Sequence, residues 1–123
     1  MRLLVCGSRT WNDRFRLGWE IEGIVAQHPG EPIVLIHGDA RGADRLAGEL
    51  ARARGWRLAV YPAHWQTEGR AAGIRRNVRM LRDGLPDLVL AFVDKPLDQS
   101  RGTAHMVALA RAAGLPVRVI ERR

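Results

Sequence analysis

The segment HGDARGAD follows a short apolar run and carries several groups that could contact a ligand. Gly38 and Gly42 permit tight backbone geometry. Asp44, near a predicted helix start, can cap that helix or accept a hydrogen bond from a sugar hydroxyl. His37 and Arg41 complete the candidate set from this segment. The segment lacks the spacing of a P-loop, of a dinucleotide-binding glycine motif and of a zinc site, so no metal is expected.

The segments CGSRTW and DQSRGTAHM could each bind an anion. The first offers a glycine turn, a hydroxyl group and a guanidinium group, which come from Gly7, Ser8 and Arg9. In the second, Gly102 and Thr103 would open a helix whose free N–H groups attract phosphate, and Arg101 adds positive charge. The alternatives are an ordinary turn with a surface arginine in the first segment and a plain Thr103 N-cap in the second.

The segment HWQTEGRAAGIRRNVRM is the richest in arginine. Its helical projection predicts an apolar stripe that faces the sheet and consists of Ala71, Ile74, Val78 and Leu81. A solvent-exposed face is predicted for Arg75, Arg79 and Arg82. The first turn of this helix would place Arg76 and Asn77 near the strand ends. Trp65 in this segment, and Trp11 after the first, could stack on a nucleotide base or be buried in the core.

Apolar runs and helical patterns alternate along the chain. The predicted strands are Arg2–Cys6, Pro32–His37, Arg57–Tyr61, Leu88–Val93 and Val117–Ile120. The predicted helices are roughly Asp13–Gln27, Ala43–Arg54, Gly73–Arg82 and Thr103–Ala113. Glycines that could form left-handed caps just past helices are Gly55, Gly84 and Gly114. The alternation predicts an α/β fold, a three-layer Rossmann-like sandwich with a mainly parallel five-stranded sheet, whose ligands bind outside the carboxyl ends of the strands.

The composition favours one globular domain over residues 1–123, because 46% of the residues are hydrophobic and can form a core. Cys6 is the single cysteine, and its apolar surroundings predict a small buried side chain. The first apolar run is too short for a signal peptide or a membrane span, so a cytoplasmic protein without a membrane partner is expected. The net charge of +7 fits a nucleic-acid face, a phosphate pocket or simply a solvated arginine-rich surface.

Together these segments resemble those of the YspA-like (cpYpsA-related) family of the SLOG superfamily, in the same order and over almost the whole chain. The resemblance implies a Rossmann-like domain that binds nucleotides or nucleotide-derived ligands as a sensor or processor. It also implies phosphate-binding loops at the CGSR and RGT segments. Asp39 stands where glycine is more usual in this pattern, which should stiffen the loop and add a negative charge beside the phosphate.

The LOG phosphoribohydrolases and the DNA-processing DprA proteins belong to the same superfamily. Arg76 and Met80 match the arginine and methionine of the LOG motif R-K-x-x-M, and Asn77 replaces its lysine. The LOG motif P-G-G-x-G-T-x-x-E is matched at its third glycine and its threonine, whereas Met106 occupies the glutamate position. A thioether cannot transfer a proton, so the acid–base role of that glutamate has no equivalent at this position.

Three hypotheses of function follow. The first is the binding of a nucleotide or nucleotide-derived ligand, without a further cofactor. The second is cleavage of an N-glycosidic bond of a nucleotide, with His37, Asp39 or Asp44 in place of the missing glutamate. The third is the binding of single-stranded nucleic acid through the positive charge. A homo-oligomer is expected, and Trp19 and Trp56 could lie either at its interface or in the core.

Overall fold

Five parallel strands form the central sheet of the computed structural model, which describes residues 1–122. The strands are β1 (Arg2–Gly7), β2 (Val34–His37), β3 (Arg57–Val60), β4 (Leu88–Val93) and β5 (Val117–Glu121). Their order across the sheet is β3-β2-β1-β4-β5, and every neighbouring pair is parallel. All five predicted strands are confirmed, with ends that differ by no more than two residues.

Helices cover both faces of the sheet, which confirms the predicted three-layer sandwich. They are α1 (Arg14–Ala26), α2 (Ala43–Arg54), α3 (Trp65–Glu68), α4 (Ala72–Gly84) and α5 (Arg101–Ala112). Short 3₁₀ turns at Gly69–Ala71 and Leu97–Gln99 precede α4 and α5, and neither these turns nor α3 was predicted. Within residues 1–122, each helix is too short or too polar to cross a lipid bilayer.

The sheet divides the core into two clusters, because successive residues of a strand point to opposite faces. Leu3 and Val5 lie in the cluster that packs against α1 and α2. Leu4 and Cys6 lie in the cluster under α4 and α5. The predicted burial of Cys6 is therefore confirmed.

Two of the three predicted glycine caps are confirmed, since Gly55 and Gly114 adopt φ values of 72° and 76°. Gly84 is instead the last residue of α4, and Leu85 takes the left-handed conformation with φ of 49°. A Cβ atom at Gly84 would lie 3.3 Å from Cγ2 of Ile36. This glycine therefore serves the close packing of α4 on β2 rather than the reversal of the chain.

The predicted sheet-facing stripe of α4 is wrong. Ile74 and Val78 are 55% and 40% exposed, and Ala71 and Leu81 are only partly buried. The buried residues of α4 are Ala72, Arg76, Asn77, Met80 and Gly84. The helix is rotated about its axis relative to the prediction because two polar side chains find hydrogen-bond partners underneath it, and a satisfied polar group can be buried at little cost.

Among the large aromatic residues, Trp19 is exposed and stacks on exposed Phe15, with 6.5 Å between the ring centroids. Trp56 is half-buried and packs against the cluster under α1 and α2. Self-association through either tryptophan stays a prediction.

The rotation of α4 can be tested by truncating one residue on each of its faces. Met80→Ala should lower the free energy of unfolding by about 2–5 kcal/mol, because it removes a buried side chain and leaves a cavity. Ile74→Ala should change it by less than about 0.5 kcal/mol, because that side chain is exposed. Urea-induced unfolding followed by circular dichroism measures both values, and a larger loss for Ile74→Ala would contradict the observed orientation.

Candidate functional site

A cleft of about 350 Å³ opens at the carboxyl edge of the sheet, between the ends of β1 and β4. The chain leaves β1 toward α1 on one face and leaves β4 toward α5 on the other, so the loops that follow these strands diverge. Ligands of open parallel sheets bind at such a switch point. The sixteen lining residues are Cys6, Gly7, Ser8, Arg9, Thr10, Ala40, Asp44, Arg76, Asn77, Met80, Lys95, Gln99, Ser100, Arg101, Gly102 and Thr103.

The loop after β1 is bound tightly to the loop after β4. The Ser8 amide donates to the Phe92 carbonyl over 2.8 Å, and the Ser8 hydroxyl accepts from the Asp94 amide over 3.2 Å. Gly7 permits this approach, since a Cβ atom there would lie 2.2 Å from the Phe92 oxygen. The Ser8 amide is thus already used within the protein and is not free to bind an anion.

The first turn of α5 forms the opposite wall. The helix begins at Arg101, two residues earlier than predicted, and Ser100 is its N-cap residue. Thr103 therefore lies inside the first turn and is not the N-cap. The amides of Arg101, Gly102 and Thr103 belong to the turn whose N–H groups have no intrahelical acceptor, and all three residues line the cleft.

Asp44 closes the cleft from the side of β2. One of its carboxylate oxygens accepts hydrogen bonds from the amides of Gly38 and Ala40, over 2.9 and 3.3 Å. The side chain is 4% exposed, and this burial raises the pKa of Asp44 to about 6. Asp39 lies in the same loop with φ of 59°, a left-handed conformation that explains why glycine suits this position.

Gly42 brings the loop after β2 against the loop after β1. Its φ is 81°, and a Cβ atom there would lie 2.2 Å from the Ser8 carbonyl oxygen. That carbonyl accepts hydrogen bonds from the amides of Trp11 and Ala43. The tight backbone geometry predicted at Gly42 is therefore present, and it serves the contact between these two loops.

Arg76 is buried beneath the cleft with 8% exposure. Its Nη1 donates to the Gly38 carbonyl over 2.5 Å, and its Nε donates to Oδ1 of Asn77 over 2.9 Å. Gly38 makes room for the guanidinium group, since a Cβ atom there would lie 2.3 Å from Nη1. Burial lowers the pKa of Arg76, and the nearby Asp44 carboxylate opposes that effect. Nη2 has no acceptor within residues 1–122 and remains available to a ligand.

Asn77 lies against the cleft but uses its amide group inside the protein. Its Nδ2 donates to the Gly102 carbonyl over 3.1 Å and lies 3.0 Å from Nδ1 of His105. Both amide hydrogens therefore have partners, and Asn77 fixes α4 to the first turn of α5. Asn77, which was predicted to lie near the strand ends, could donate to a ligand only if one of these bonds were exchanged.

His37 and Trp11 lie outside the cleft, so the structure does not bring these two predicted residues into the site. Nδ1 of His37 accepts from the Asp39 amide over 2.9 Å, and Nε2 is buried against Gly48 without a partner in residues 1–122. Burial lowers the pKa of His37 to about 4, so the ring is neutral at pH 7. Trp11 is 2% exposed and packs on Phe92, with 5.3 Å between the ring centroids.

A second cleft of about 260 Å³ adjoins the first on the side of β2 and β3. The two clefts share Arg9, Ala40 and Arg76. The residues found only in the second are Gly38, Asp39, Arg41, Arg45, Pro62, Ala63 and Trp65. Three predicted site residues, Gly38, Arg41 and Trp65, thus line this cleft and not the one at the N-terminus of α5. Arg9 lines both clefts, and its Cζ atom lies 5.9 Å from the centroid of the Trp65 ring.

Four polar residues of the first cleft were not predicted, namely Thr10, Lys95, Gln99 and Ser100. Ser100 had a detectable signal, because serine directly before a helical pattern is a favoured N-cap. Lys95 is the single lysine of the chain and follows the end of β4 by two residues. Thr10 donates to Asp94 over 2.6 Å, a contact between two loops that no local pattern indicates.

Within residues 1–122, no three side chains of histidine, cysteine, aspartate or glutamate are grouped so as to hold a metal ion. Met106 is fully buried in the core and does not line either cleft.

Comparisons with known proteins relate this chain to one family. The model of the YspA, cpYpsA-related SLOG family matches residues 1–67. The chain is 38% identical over 121 residues to the "Gene 61 protein" of Mycobacterium phage D29, and the alignment covers 94% of this chain and 93% of the phage protein. No solved structure matches the chain.

The raised pKa of Asp44 should make stability depend on pH. Between pH 3.8, the ordinary pKa of an aspartate, and about pH 6, the folded protein holds a proton that the unfolded chain has lost. Its contribution to the free energy of unfolding is therefore fully present below pH 4 and is lost as the pH rises through 6. We expect the stability of the wild type relative to Asp44→Asn to fall by up to about 3 kcal/mol between pH 4 and pH 7.

Urea-induced unfolding of both proteins across this pH range measures the difference. Taking the difference cancels the contributions of other groups, including His37, whose lowered pKa gives the opposite dependence. Parallel pH profiles for the wild type and Asp44→Asn would show that Asp44 titrates normally.

Proposed function

Because the chain belongs to the YspA, cpYpsA-related SLOG family, we propose that it binds a nucleotide or a nucleotide-derived ligand in the cleft between β1 and β4. Membership of the SLOG family suggests a nucleotide-related Rossmann-like domain. The observation that carries the proposal is the position of the first turn of α5, which lies on a cleft at the switch point of the sheet. Such a cleft joins a helix N-terminus to the edge where parallel sheets bind ligands.

In this proposal a phosphate group of the ligand lies at the first turn of α5. The amides there carry partial positive charge from the helix dipole, and Lys95 and Arg101 line the same cleft. The Thr103 hydroxyl can donate to a phosphate oxygen from inside the turn. Arg9 reaches the cleft from the opposite loop, and neither Arg9 nor Arg101 forms an ion pair within residues 1–122. The anion would therefore meet cations that no carboxylate neutralises.

In this proposal the sugar of the ligand lies beside Asp44 and Arg76. Asp44 can accept a hydrogen bond from a ribose hydroxyl, and Nη2 of Arg76 can donate one. Both groups are held in place by bonds to the backbone of the loop after β2. A site with such preorganised donors and acceptors loses little side-chain entropy when a ligand binds.

Replacing Lys95 and Arg101, two of the cations that line the cleft at α5, tests this proposal. Lys95→Ala combined with Arg101→Ala should raise the Kd for AMP at least about tenfold, because a hydrogen bond to a charged group contributes roughly 1.5–3 kcal/mol. Isothermal titration calorimetry at fixed ionic strength measures the Kd. The matched control is Arg111→Ala combined with Arg118→Ala, which removes the same charge from exposed positions outside both clefts.

The control separates a site from a general electrostatic attraction. An equal loss of affinity in both double variants would mean that net charge, and not the cleft, attracts the nucleotide. The absence of heat with AMP, ADP and larger adenine nucleotides in the wild type would remove the proposal altogether.

A second candidate function is hydrolysis of the N-glycosidic bond of the bound nucleotide. Asp44 favours it, because it is the one carboxylate that lines the first cleft within residues 1–122, and its pKa of about 6 suits a general acid or base. In this reaction the oxygen of a water molecule bonds to C1′ of the ribose while the bond from C1′ to the base breaks. Asp44 would accept a proton from the attacking water, and the base would leave as an anion that takes up a proton from a solvent water molecule. Asp44 would then return its proton to the solvent, which completes the cycle.

Chromatography of adenine after incubation with AMP tests this second candidate. Asp44→Asn keeps an oxygen that can accept the amides of Gly38 and Ala40, and it should lower the rate at least about 100-fold, as loss of a general acid–base does. Asp83→Asn is the matched control, because that carboxylate is exposed, pairs with Arg82 and lies outside both clefts. No adenine from the wild type, or equal rates in both variants, would limit the protein to binding.

A further inference from the structure

We propose that the second cleft is a subsite for a second phosphate and its base, so that the ligand is a dinucleotide with one phosphate in each cleft. This inference rests on the proposed function, because it assigns the first phosphate to the cleft at α5. It adds the class of ligand, which family membership leaves open.

The charges of the second cleft favour an anion. Four guanidinium groups line it, from Arg9, Arg41, Arg45 and Arg76, against the single carboxylate of Asp39. That carboxylate accepts from Nε of Arg45 over 3.3 Å, so its charge is already compensated. Arg9 and Arg41 form neither a hydrogen bond through their side chains nor an ion pair within residues 1–122. Unpaired guanidinium groups that converge on one cleft suit a phosphate, which they can bind through two hydrogen bonds each.

Trp65 gives the same cleft a surface for a planar ring. Its side chain is 52% exposed, and the Arg9 guanidinium lies 5.9 Å from the ring centroid. Gly73 of α4 lies beside the ring, since a Cβ atom added there would be at van der Waals distance, 3.5 Å, from its Cη2 atom. An aromatic ring beside unpaired arginines can stack on a base while the arginines bind the attached phosphate.

The short helix that carries Trp65 is tied to α4. Glu68 in that helix accepts hydrogen bonds from Arg79 over 3.3 Å, and Arg75 lies 3.5 Å from the same carboxylate. The hydrogen bonds from Arg79 lower the pKa of Glu68, so the carboxylate stays ionised at neutral pH. The half-exposed ring is thus presented by a fixed element.

The sizes of the two clefts agree with a ligand that occupies both. Pockets for small ligands typically measure about 300–1,000 Å³. The first cleft, at about 350 Å³, is at the lower end of this range, and the second, at about 260 Å³, falls below it. The two clefts share Arg9, Ala40 and Arg76 in their linings, so a ligand that occupied both would pass these residues.

The experiment compares AMP, ADP, the linear 3′,5′-linked dinucleotide 5′-pApA and cyclic di-AMP by isothermal titration calorimetry. ADP reports the effect of a second phosphate alone, and the last two probes distinguish a linear from a cyclic dinucleotide. We expect at least one dinucleotide to bind about tenfold or more tightly than AMP. Combining Arg41→Ala with Trp65→Ala should then reduce this ratio of Kd values to about one. The matched control is Arg52→Ala combined with Trp19→Ala, which removes an exposed arginine and an exposed tryptophan outside both clefts.

Four results would overturn the proposal. Equal affinity for AMP and both dinucleotides would exclude the second subsite and leave the first cleft as a nucleotide site. Tighter dinucleotide binding that the Arg41→Ala and Trp65→Ala variant leaves intact, or that the control loses equally, would place the second half of the ligand elsewhere. No binding of any probe would remove this inference together with the proposed function.

Discussion

The buried guanidinium group of Arg76 is the interaction on which the site depends. A charged side chain under α4 is costly to bury unless its donors are paired, and here two of its nitrogens bind the Gly38 carbonyl and Asn77. Those bonds require that the polar face of α4 point inward, which leaves Ile74 and Val78 exposed. The hydrogen bonds of Arg76 therefore set the orientation of α4 and also hold Arg76 in the lining of both clefts.

The same network couples three strand ends. Arg76 joins α4 to the loop after β2, Asn77 joins α4 to the first turn of α5, and Asp44 holds the loop after β2 by two amides. Ser8 adds the link between the loops that follow β1 and β4. Loops at the edge of a sheet are ordinarily its most mobile parts, and here buried polar bonds hold them in position for a ligand.

The glycines at this edge act through the space they leave. Side chains at Gly7, Gly38 and Gly42 would collide with Phe92, Arg76 and Ser8, respectively. Each glycine thus permits a contact between two segments that are distant in sequence. The same close packing of the loops buries Asp44, whose carboxylate accepts hydrogen bonds from the amides of Gly38 and Ala40.

The sequence alone determined the five strands, four of the helices, the sandwich and the edge at which a site would lie. Hydrophobic periodicity, glycine and proline report local structure, and parallel topology then brings the polar loops together. Ser8, Asp44, Arg76 and the RGT segment, which were predicted to lie at this edge, line one cleft there.

Only the tertiary structure decided which faces are buried and which donors remain free. Periodicity assumes that apolar residues face the core, and it failed for α4 because Arg76 and Asn77 gain partners from distant loops. It also could not separate His37 and Trp11, which are buried away from the cleft, from Lys95 and Ser100, which line it. These outcomes depend on contacts between residues far apart in the chain, which no local spacing records.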